Sequence, residues 1–296
     1  MKIPEGIVSC RIRGKFRLDD SDQTNPVVVG DHVTIRLEPD GTGMIIEIGD
    51  RYNRVVRRAA GRKVGREHVI VSNVDAAWII QSVLYPKINP GFIDRFIVMA
   101  SLYDIDTGII INKTDLIEDD FTDAIDYWTD LYRELGYPVL RTSAKTGSGM
   151  EAFESALVDK TNVFIGPSGV GKSSLINRVE PGLDLRIGDV STRTQKGIHT
   201  TSFAALYPLT SGGFVADTPG LREYGLIEIE PGMLSHYFVE FESLGRDCRY
   251  PNCNHDHEPG CRVKEALEKG EIAPERYESY TNMLFSLQRG DKDVGR

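Results

Sequence analysis

A phosphate-binding loop lies past the middle of the chain, in the segment GPSGVGKSS that begins at Gly166. The segment satisfies G-x-x-x-x-G-K-[ST], with Gly171, Lys172 and Ser173 at the last three positions, and it follows an apolar run that ends at Ile165. Glycines let the backbone curl so that successive N–H groups point at a β-phosphate. We expect Lys172 to neutralise the β and γ oxygens and Ser173 to bind Mg²⁺. The predicted phosphate contacts are Gly166, Pro167, Ser168, Gly169, Val170, Gly171, Lys172, Ser173 and Ser174.

Two short motifs upstream predict that the bound base is guanine. In N-K-T-D, the carboxylate of Asp115 can accept hydrogen bonds from guanine N1–H and its amino group, whereas adenine presents an acceptor at N1. The stem of Lys113 is expected to cover one face of the base. In TSAKT, Ala144 is expected to offer its backbone N–H to guanine O6. The predicted base contacts are Asn112, Lys113, Thr114, Asp115, Ser143, Ala144 and Lys145.

The segment D-T-P-G, Asp217 to Gly220, completes a set of nucleotide motifs. Asp217 is predicted to hold Mg²⁺ through water, and the Gly220 N–H is predicted to reach the γ-phosphate. Between this segment and the phosphate loop lies the polar sequence STRTQKGIHTTSF, which is typical of a switch that orders around Mg²⁺ and γ-phosphate. Thr200 or Thr201 is predicted to supply the second hydroxyl to the metal.

The residue that positions the attacking water is the least defined part of the predicted site. After D-T-P-G the chain has Leu221 and Arg222, where a Ras-like enzyme places a glutamine. Leucine cannot hold water, so another group must do so. His199 in GIHTT is the nearest candidate, because closure of the switch on Mg²⁺ would bring its imidazole towards the γ-phosphate. Packing within the switch, or contact with RNA, is the alternative role for this histidine.

The motifs occur in the order base, phosphate loop, switches, whereas a conventional GTPase has the base motifs last. This order predicts a circularly permuted domain. Permutation is tolerated because a compact α/β domain keeps its sheet order when old termini are joined and new ones open at the surface. The second switch then runs directly into the C-terminal segment, so its movement on loss of γ-phosphate can be transmitted there.

Apolar periodicity indicates the elements that position these motifs. Residues 7–58 alternate in short runs separated by Gly, Asp, Asn and Pro, which predicts a small antiparallel β-domain. From about residue 69, HVIVSNVDAAWIIQSV is interpreted as one buried strand, and strands then alternate with helices. That alternation predicts a mostly parallel sheet covered by helices on both faces. After about residue 228 the chain is predicted to be helical. The predicted domains are 1–64, 65–228 and 229–296.

Three of the four cysteines fall in the C-terminal segment CRYPNCNHDHEPGC. Cys248, Cys253, His255 and Cys261 offer three thiolates and an imidazole, a set suited to a closed tetrahedral Zn²⁺ site with a structural role. His257 is a competing ligand, because it also lies between the second and third of these cysteines. Clustered cysteines in an intracellular chain favour a metal over a disulfide framework.

Charge is unevenly distributed along the chain. The net charge of −9 disfavours a nucleic-acid partner, but residues 51–66 carry seven basic side chains and no acidic one, and CRIRGKFR adds four more. A local basic face on an acidic protein predicts a specific anionic partner, with a solvated surface as the alternative. No apolar run approaches the roughly 18 residues of a membrane span, and the N-terminus lacks the apolar segment of a secretory signal. A cytoplasmic protein without a membrane partner is expected.

Taken together, the motifs resemble the bacterial ribosome small subunit-dependent GTPase A family (RsgA). The resemblance rests on the permuted order of NKTD, SAK, GPSGVGKSS, HTT and DTPG, on the preceding segment CRIRGKFR…VVVGDHV, and on Cys-x4-Cys-x-His-x5-Cys. It implies an N-terminal OB-type β-barrel that binds rRNA, a central permuted P-loop GTPase domain and a C-terminal helical zinc-binding domain. By the family's spacing the zinc ligands are Cys248, Cys253, His255 and Cys261.

The same resemblance implies GTP hydrolysis in late maturation of the small ribosomal subunit, stimulated by that subunit. The family has a β-hairpin ahead of CRIRGKFR, where this chain has only MKIPEGIVS, so the barrel is expected to lack its first hairpin. A second functional class fits the residues: a GTP-switched module whose zinc domain recruits a protein effector. Tyr52 beside the arginines favours RNA, because OB-type barrels bind RNA through positive surfaces and stacking side chains. We expect a monomer when the protein is free.

Overall fold

The computed structural model describes residues 1–3, 6–14, 26–58, 67–117, 119–183, 204–217 and 229–290. Its N-terminal part consists of short strands: β1 Lys2–Ile3, β2 Gly6–Ile7, β3 Cys10–Ile12, β4 Val33–Leu37, β5 Gly43–Ile48, β6 Arg54–Arg58 and β7 Glu67–Ser72. The strands β1 and β2 pair antiparallel within the segment MKIPEGIVS, and the lack of the family's first hairpin stays a prediction. β4 pairs with β5, and β6 with β7, also antiparallel.

One pairing in this part departs from the predicted antiparallel arrangement. β3 pairs parallel to β5, with Cys10 opposite Gly43 and Ile12 opposite Ile45. β4 precedes β5 in the chain and runs antiparallel to it, so β4 returns the chain to the end of the sheet at which β3 begins, and β5 can then run parallel to β3. The prediction was wrong here because alternation of apolar and polar residues fixes which face a side chain occupies and leaves strand direction open.

The predicted single strand from residue 69 is two strands, β7 and β8 Ala76–Ser82. The break occurs at Asn73, which has φ of 54°, a conformation that asparagine tolerates better than most residues. The side chain of Asn53 stabilises the break, because its Nδ2 donates to the Val74 carbonyl and its Oδ1 accepts from the Val74 N–H, each at 2.8 Å. β7 therefore pairs with β6, while β8 enters the central sheet.

The central sheet has six strands in the order β10-β9-β8-β11-β13-β12. The added strands are β9 Thr107–Asn112, β10 Val139–Arg141, β11 Thr161–Ile165, β12 Ala205–Pro208 and β13 Phe214–Asp217. All neighbours run parallel except β12 and β13. Every residue of β8 is buried, which is typical of a central strand covered on both faces. The predicted mostly parallel sheet is confirmed.

Helices cover both faces of this sheet. Their bounds are α1 Pro90–Leu102, α2 Asp119–Glu134, α3 Met150–Leu157 and α4 Lys172–Val179. One face of the sheet packs Ile79 against Phe96 and Ile97 of α1. The other face packs Trp78 against residues of α3 and α4. The helix α1 begins where Pro90 fixes the first turn and the Asn89 side chain caps it, accepting from a backbone N–H at 3.0 Å.

The C-terminal part is helical, with α5 Val239–Gly245, α6 Arg262–Glu268 and α7 Pro274–Arg289 after a 3₁₀ segment at Pro231–Tyr237. Phe238, Phe241 and Tyr280 form the centre of its core. Val98 of α1 belongs to the same core, so these helices pack directly on the central domain. None of the helices in the described part of the chain combines the length and apolar character that crossing a bilayer requires.

Two basic residues that the sequence analysis assigned to an exposed face have internal partners. Arg51 forms a two-point ion pair with Asp31, with nitrogen to oxygen distances of 2.6 and 2.7 Å, and the Asp31 side chain is fully buried. The guanidinium of Arg54 lies over the ring of Tyr103, 5.3 Å from its centroid. The expectation is wrong at these positions because the sequence does not reveal that Asp31 and Tyr103 fold against them.

A buried ionic cluster joins the C-terminal helices to the central domain. Arg276 of α7 donates to Asp94 of α1 at 2.5 Å and to both carboxylate oxygens of Glu240 of α5, at 2.6 and 2.9 Å. Tyr132 of α2 donates its hydroxyl to Asp94 at 2.8 Å. The side chains of Arg276 and Asp94 are 1% and 0% exposed, so one guanidinium holds three helices together through two carboxylates.

Replacement of Arg276 by methionine is expected to lower the free energy of unfolding by about 3–5 kcal/mol, because two buried carboxylates lose their counter-ion. Urea denaturation followed by circular dichroism measures the change. Arg246→Met is the matched control, because its ion pair with Glu242 is exposed and worth less than about 1 kcal/mol. Equal stability of the two variants would contradict a stabilising role for the cluster.

Candidate nucleotide site and metal cluster

The predicted nucleotide motifs meet at one edge of the central sheet. β9 ends at Asn112, β10 at Arg141 and β11 at Ile165, and these strands run parallel. The carboxyl ends of parallel strands lie at the same edge, which is where ligands bind in open α/β sheets. The loops that carry N-K-T-D, T-S-A-K-T and the phosphate loop therefore lie side by side.

The phosphate loop connects β11 to α4 and requires glycine at two positions. A Cβ on Gly166 would lie 2.2 Å from the Ile80 carbonyl oxygen, and one on Gly171 would lie 2.3 Å from Nδ2 of Asn112. Gly171 also has φ of 98°, which disfavours a side chain. Lys172 opens α4, and its Nζ donates to the carbonyls of Gly166 and Pro167 at 2.7 and 2.8 Å. The ammonium is thereby held inside the curled loop.

Asn112 connects the base motif to the phosphate loop. Its Nδ2 donates to the Val170 carbonyl at 2.8 Å. Its Oδ1 accepts from the Thr142 hydroxyl at 3.2 Å and from the Ala144 N–H at 3.4 Å. One buried side chain thus fixes the base motif, the T-S-A-K-T loop and the phosphate loop relative to one another. Its contact with the purine stays a prediction.

Asp115 presents an ionised carboxylate beside the T-S-A-K-T loop. Ser143 donates its hydroxyl to Oδ1 at 2.6 Å, and Nζ of Lys145 lies 3.6 Å from Oδ2. The Ser143 hydrogen bond, more than the nearby lysine, lowers the pKa of Asp115 below its usual value. The carboxylate is therefore charged at neutral pH, which suits acceptance of two hydrogen bonds from a guanine edge.

Tyr85 lies in the loop that follows β8 at the same edge of the sheet, and no sequence motif predicted a role for it. Nζ of Lys113 donates to the Tyr85 carbonyl at 2.7 Å. No short motif marks this loop, since the contact is made by a main-chain atom. A large aromatic residue directly before a proline at a strand end, in YPKINP, is the only signal in the sequence.

Several predicted site residues lie beyond what the structure describes. β13 runs parallel to β11, so the backbone of Asp217 ends at the same edge as the phosphate loop. Gly220, His199, Thr200 and Thr201 lie outside the described residues. Their assigned roles, and the coordination of Mg²⁺ by Ser173 and the aspartate, stay predictions.

The C-terminal cysteines and one histidine converge in a cluster that could hold a metal ion. The ligand atoms of Cys248, Cys253, His255 and Cys261 all lie within 4.8 Å of one another. Nδ1 of the histidine is 3.6 Å from Sγ of Cys248 and 3.4 Å from Sγ of Cys261. Tetrahedral bonds of about 2.0 Å to nitrogen and 2.3 Å to sulfur require a similar separation, of about 3.5 Å. The donor set therefore fits Zn²⁺.

The surroundings of the cluster hold it in this arrangement. The Arg262 N–H donates to Sγ of Cys248 at 3.4 Å, and Tyr277 donates its hydroxyl to the His255 carbonyl at 2.7 Å. Burial lowers the pKa of His255, which favours the neutral imidazole that binds metals. Burial also raises the pKa of the Cys253 thiol to about 12. A bound cation would offset that cost of ionisation.

His257, the competing ligand, lies outside the cluster. Its side chain is 81% exposed, and its Nδ1 lies 3.1 Å from the Asp256 carboxylate. The set of four ligands that the family resemblance implied is therefore the set that the structure brings together.

The fold and the site define the class of protein: a P-loop GTPase with circularly permuted motifs, joined to a helical region with a Cys3His cluster. A family model described as RsgA GTPase matches residues 48–227, and one described as RsgA N-terminal domain matches residues 2–45. The chain belongs to the RsgA GTPase family and is a GTP hydrolase.

Curated relatives are similar over nearly the whole chain. Small ribosomal subunit biogenesis GTPase RsgA 2 of Bacteroides thetaiotaomicron is 41% identical over 96% of this chain and 91% of its own length. The protein named Small ribosomal subunit biogenesis GTPase RsgA in Cytophaga hutchinsonii is 42% identical over 97% of this chain and 92% of its own length.

Solved structures give the same result. YjeQ from Thermotoga maritima has a TM-score of 0.77 at 37% identity, covering 99% of this chain and 92% of that one. YloQ, described as a circularly permuted GTPase, has a TM-score of 0.73 at 33% identity, covering 96% of this chain and 87% of that one. The predicted permutation and the predicted α/β fold class are confirmed.

Proposed function

We propose that this protein acts in late maturation of the small ribosomal subunit, hydrolysing GTP to GDP and phosphate with stimulation by that subunit. The observation that carries the proposal is the connection of the base motif to the phosphate loop through Asn112, in a chain whose relatives are named small ribosomal subunit biogenesis GTPases. The names do not favour the alternative, a switched module that recruits a protein effector. GTP turnover with and without purified small subunits tests the proposal.

The site geometry supports the following proposed roles in nucleotide binding. Asp115 and the backbone of Ala144 read guanine, the stem of Lys113 covers the base, and the loop from Gly166 to Ser174 holds the phosphates. Bound Mg²⁺ would neutralise charge on the β and γ oxygens. The residues that would hold it are Ser173, Thr200 or Thr201, and Asp217 through water.

The Cys3His cluster would hold one structural Zn²⁺. Four protein ligands leave no open position, so the ion stabilises α5–α7 and takes no part in hydrolysis. The core that surrounds it continues into α1 through Val98, and Arg276 bonds to the same helix. These contacts connect the zinc-binding region, proposed as residues 229–296, to the GTPase domain, proposed as residues 65–228.

The N-terminal region, proposed as an OB-fold over residues 1–64, would contact rRNA. Tyr52 supports this role, because the residue is 60% exposed. Its hydroxyl donates to the Asp75 carboxylate at 3.1 Å, and the exposed ring can still stack on a base. Arg51 and Arg54 have internal partners, so the rRNA contacts are assigned to the basic residues that follow them in the sequence. The protein would act in the cytoplasm and be monomeric when free.

His199 is proposed to position the attacking water. His199→Ala is expected to abolish most subunit-stimulated turnover, by about 100-fold, while nucleotide affinity and subunit binding stay near normal. A large loss of turnover without a loss of binding is typical of a group that acts mainly in the transition state. Single-turnover GTP hydrolysis with saturating subunits measures it, with His257→Ala as the control. If subunit-stimulated turnover is unchanged in His199→Ala, the attacking water must be positioned by rRNA or by a backbone group.

A further inference from the structure

The loop between β8 and α1 lies between the two halves of the proposed nucleotide site. β8 separates β9, which ends in the base motif, from β11, which ends in the phosphate loop. The residues that follow Ser82 therefore emerge at the same edge as both motifs. Tyr85 is the third residue of this loop.

Hydrogen bonds fix this loop against the base motif. The Val83 N–H donates to the Asn112 carbonyl at 3.1 Å, and the Ser82 hydroxyl donates to the Pro86 carbonyl at 2.7 Å. The Tyr85 carbonyl accepts from Nζ of Lys113 at 2.7 Å. The loop thus holds the ammonium of the residue whose stem is expected to cover the base.

The same loop also approaches the phosphate loop. A Cβ built on Gly169 would lie 3.8 Å from both the Tyr85 carbonyl oxygen and Cδ of Pro86, which is ordinary contact distance. Tyr85 is therefore next to Lys113 on one side and next to Gly169 on the other. The ribose connects a base expected at Asp115 to a β-phosphate expected in the phosphate loop, so its expected path runs between Lys113 and Gly169.

The side chain of Tyr85 is unusually exposed for an aromatic residue in this position. The residue is 80% exposed, although its main chain is fixed by the contacts above. It also has φ of 55°, in the left-handed region that a bulky residue rarely adopts. Strained residues of this kind persist where the surrounding structure imposes them, and they cluster at ligand sites.

We propose that the ring of Tyr85 packs against the ribose of a bound guanine nucleotide, so that the β8–α1 loop is a third element of the nucleotide site. The proposal rests on the proposed nucleotide site. An aromatic ring supplies a large apolar face with few rotatable bonds, which suits contact with a sugar at the rim of a polar site. The contact is shared by GTP and GDP, since it does not involve the γ-phosphate.

Titration calorimetry with GDP and with a non-hydrolysable GTP analogue, on the full chain, tests the proposal. Tyr85→Gly removes the ring and suits the left-handed backbone, so it is expected to fold at least as stably as the parent. Its affinity for both nucleotides is expected to fall by about tenfold. Tyr85→Phe is expected to stay within about twofold of the parent, because it keeps the ring face. Tyr250→Ala, in the C-terminal region, is the control for loss of a tyrosine.

Nucleotide affinity of Tyr85→Gly equal to that of the parent would overturn this inference and leave the nucleotide site intact. Equal losses of nucleotide affinity in Tyr85→Phe and Tyr85→Gly would also overturn it, because Tyr85→Phe keeps the ring that the inference requires. A parent protein that binds no guanine nucleotide would overturn the site and the inference together.

Tyr85→Trp gives a second and independent readout. Its fluorescence is expected to change on addition of GDP by more than that of the parent, whose two tryptophans, Trp78 and Trp128, pack in the hydrophobic clusters of the central domain. The same fluorescence response in the parent and in the variant would contradict contact at this position.

Discussion

Asp115→Asn is expected to lower the affinity for GTP by about 100-fold and to favour xanthosine triphosphate. The carboxylate accepts two charge-assisted hydrogen bonds from guanine, each worth about 1.5–3 kcal/mol, whereas an amide repels N1–H. Xanthine has a carbonyl in place of the amino group, which complements the amide donor. The hydrogen bond from Ser143 can still form with the asparagine oxygen, so the loop should keep its structure.

Competition binding with GTP, xanthosine triphosphate and ATP measures this change of preference. Asp123→Asn is the matched control, because that carboxylate is exposed on α2 and outside the base motif. Equal binding of ATP and GTP by the parent would contradict the assignment of the base motif. A variant that still prefers GTP would assign guanine selectivity to another residue.

Cys261→Ser is expected to remove the metal and to unfold the C-terminal helices. Apparent binding free energies of structural zinc are about 10 kcal/mol or more, and they contribute directly to folding. Cys261 is 3% exposed and belongs to the core that contains Phe241, so the substitution also places a hydroxyl in apolar surroundings. The destabilisation should extend to α1, because Val98 packs in the same core.

Elemental analysis together with thermal unfolding tests this expectation. The parent, purified without chelator, should contain about one zinc per chain. Cys10→Ser is the matched control, because this cysteine lies in β3 and outside the cluster. His257→Ala should likewise keep its metal. A parent protein that contains no zinc would refute the metal site. A Cys261→Ser variant with the same midpoint of thermal unfolding as the parent would refute a structural role for the metal.

The parts of the fold that could be predicted from the sequence are those that local geometry determines. The glycines of the phosphate loop serve a local backbone requirement, such as the φ of 98° at Gly171, so their spacing is recognisable in the sequence. The metal ligands are equally local, since Cys248 to Cys261 span a short segment. The alternation of strands and helices in the central domain could be predicted because β8 and its neighbours consist mostly of buried apolar residues.

Long-range contacts account for what the sequence did not reveal. The break at Asn73 depends on the side chain of Asn53, and the burial of Arg51 depends on Asp31. The position of Tyr85 depends on a main-chain carbonyl that meets Lys113 across the sheet edge. Neither periodicity nor spacing reports contacts of this kind, because they arise only when distant segments pack together.

GTP turnover with and without purified small ribosomal subunits tests the central claim most directly. Hydrolysis by the free protein should be slow, and intact subunits should stimulate it by about tenfold or more. Subunits treated with nuclease should not stimulate it, and a Lys172→Ala variant should not respond, since it lacks the charge that neutralises the phosphates. Equal turnover with and without subunits, or stimulation that survives nuclease treatment, would contradict a role in small subunit maturation that depends on rRNA.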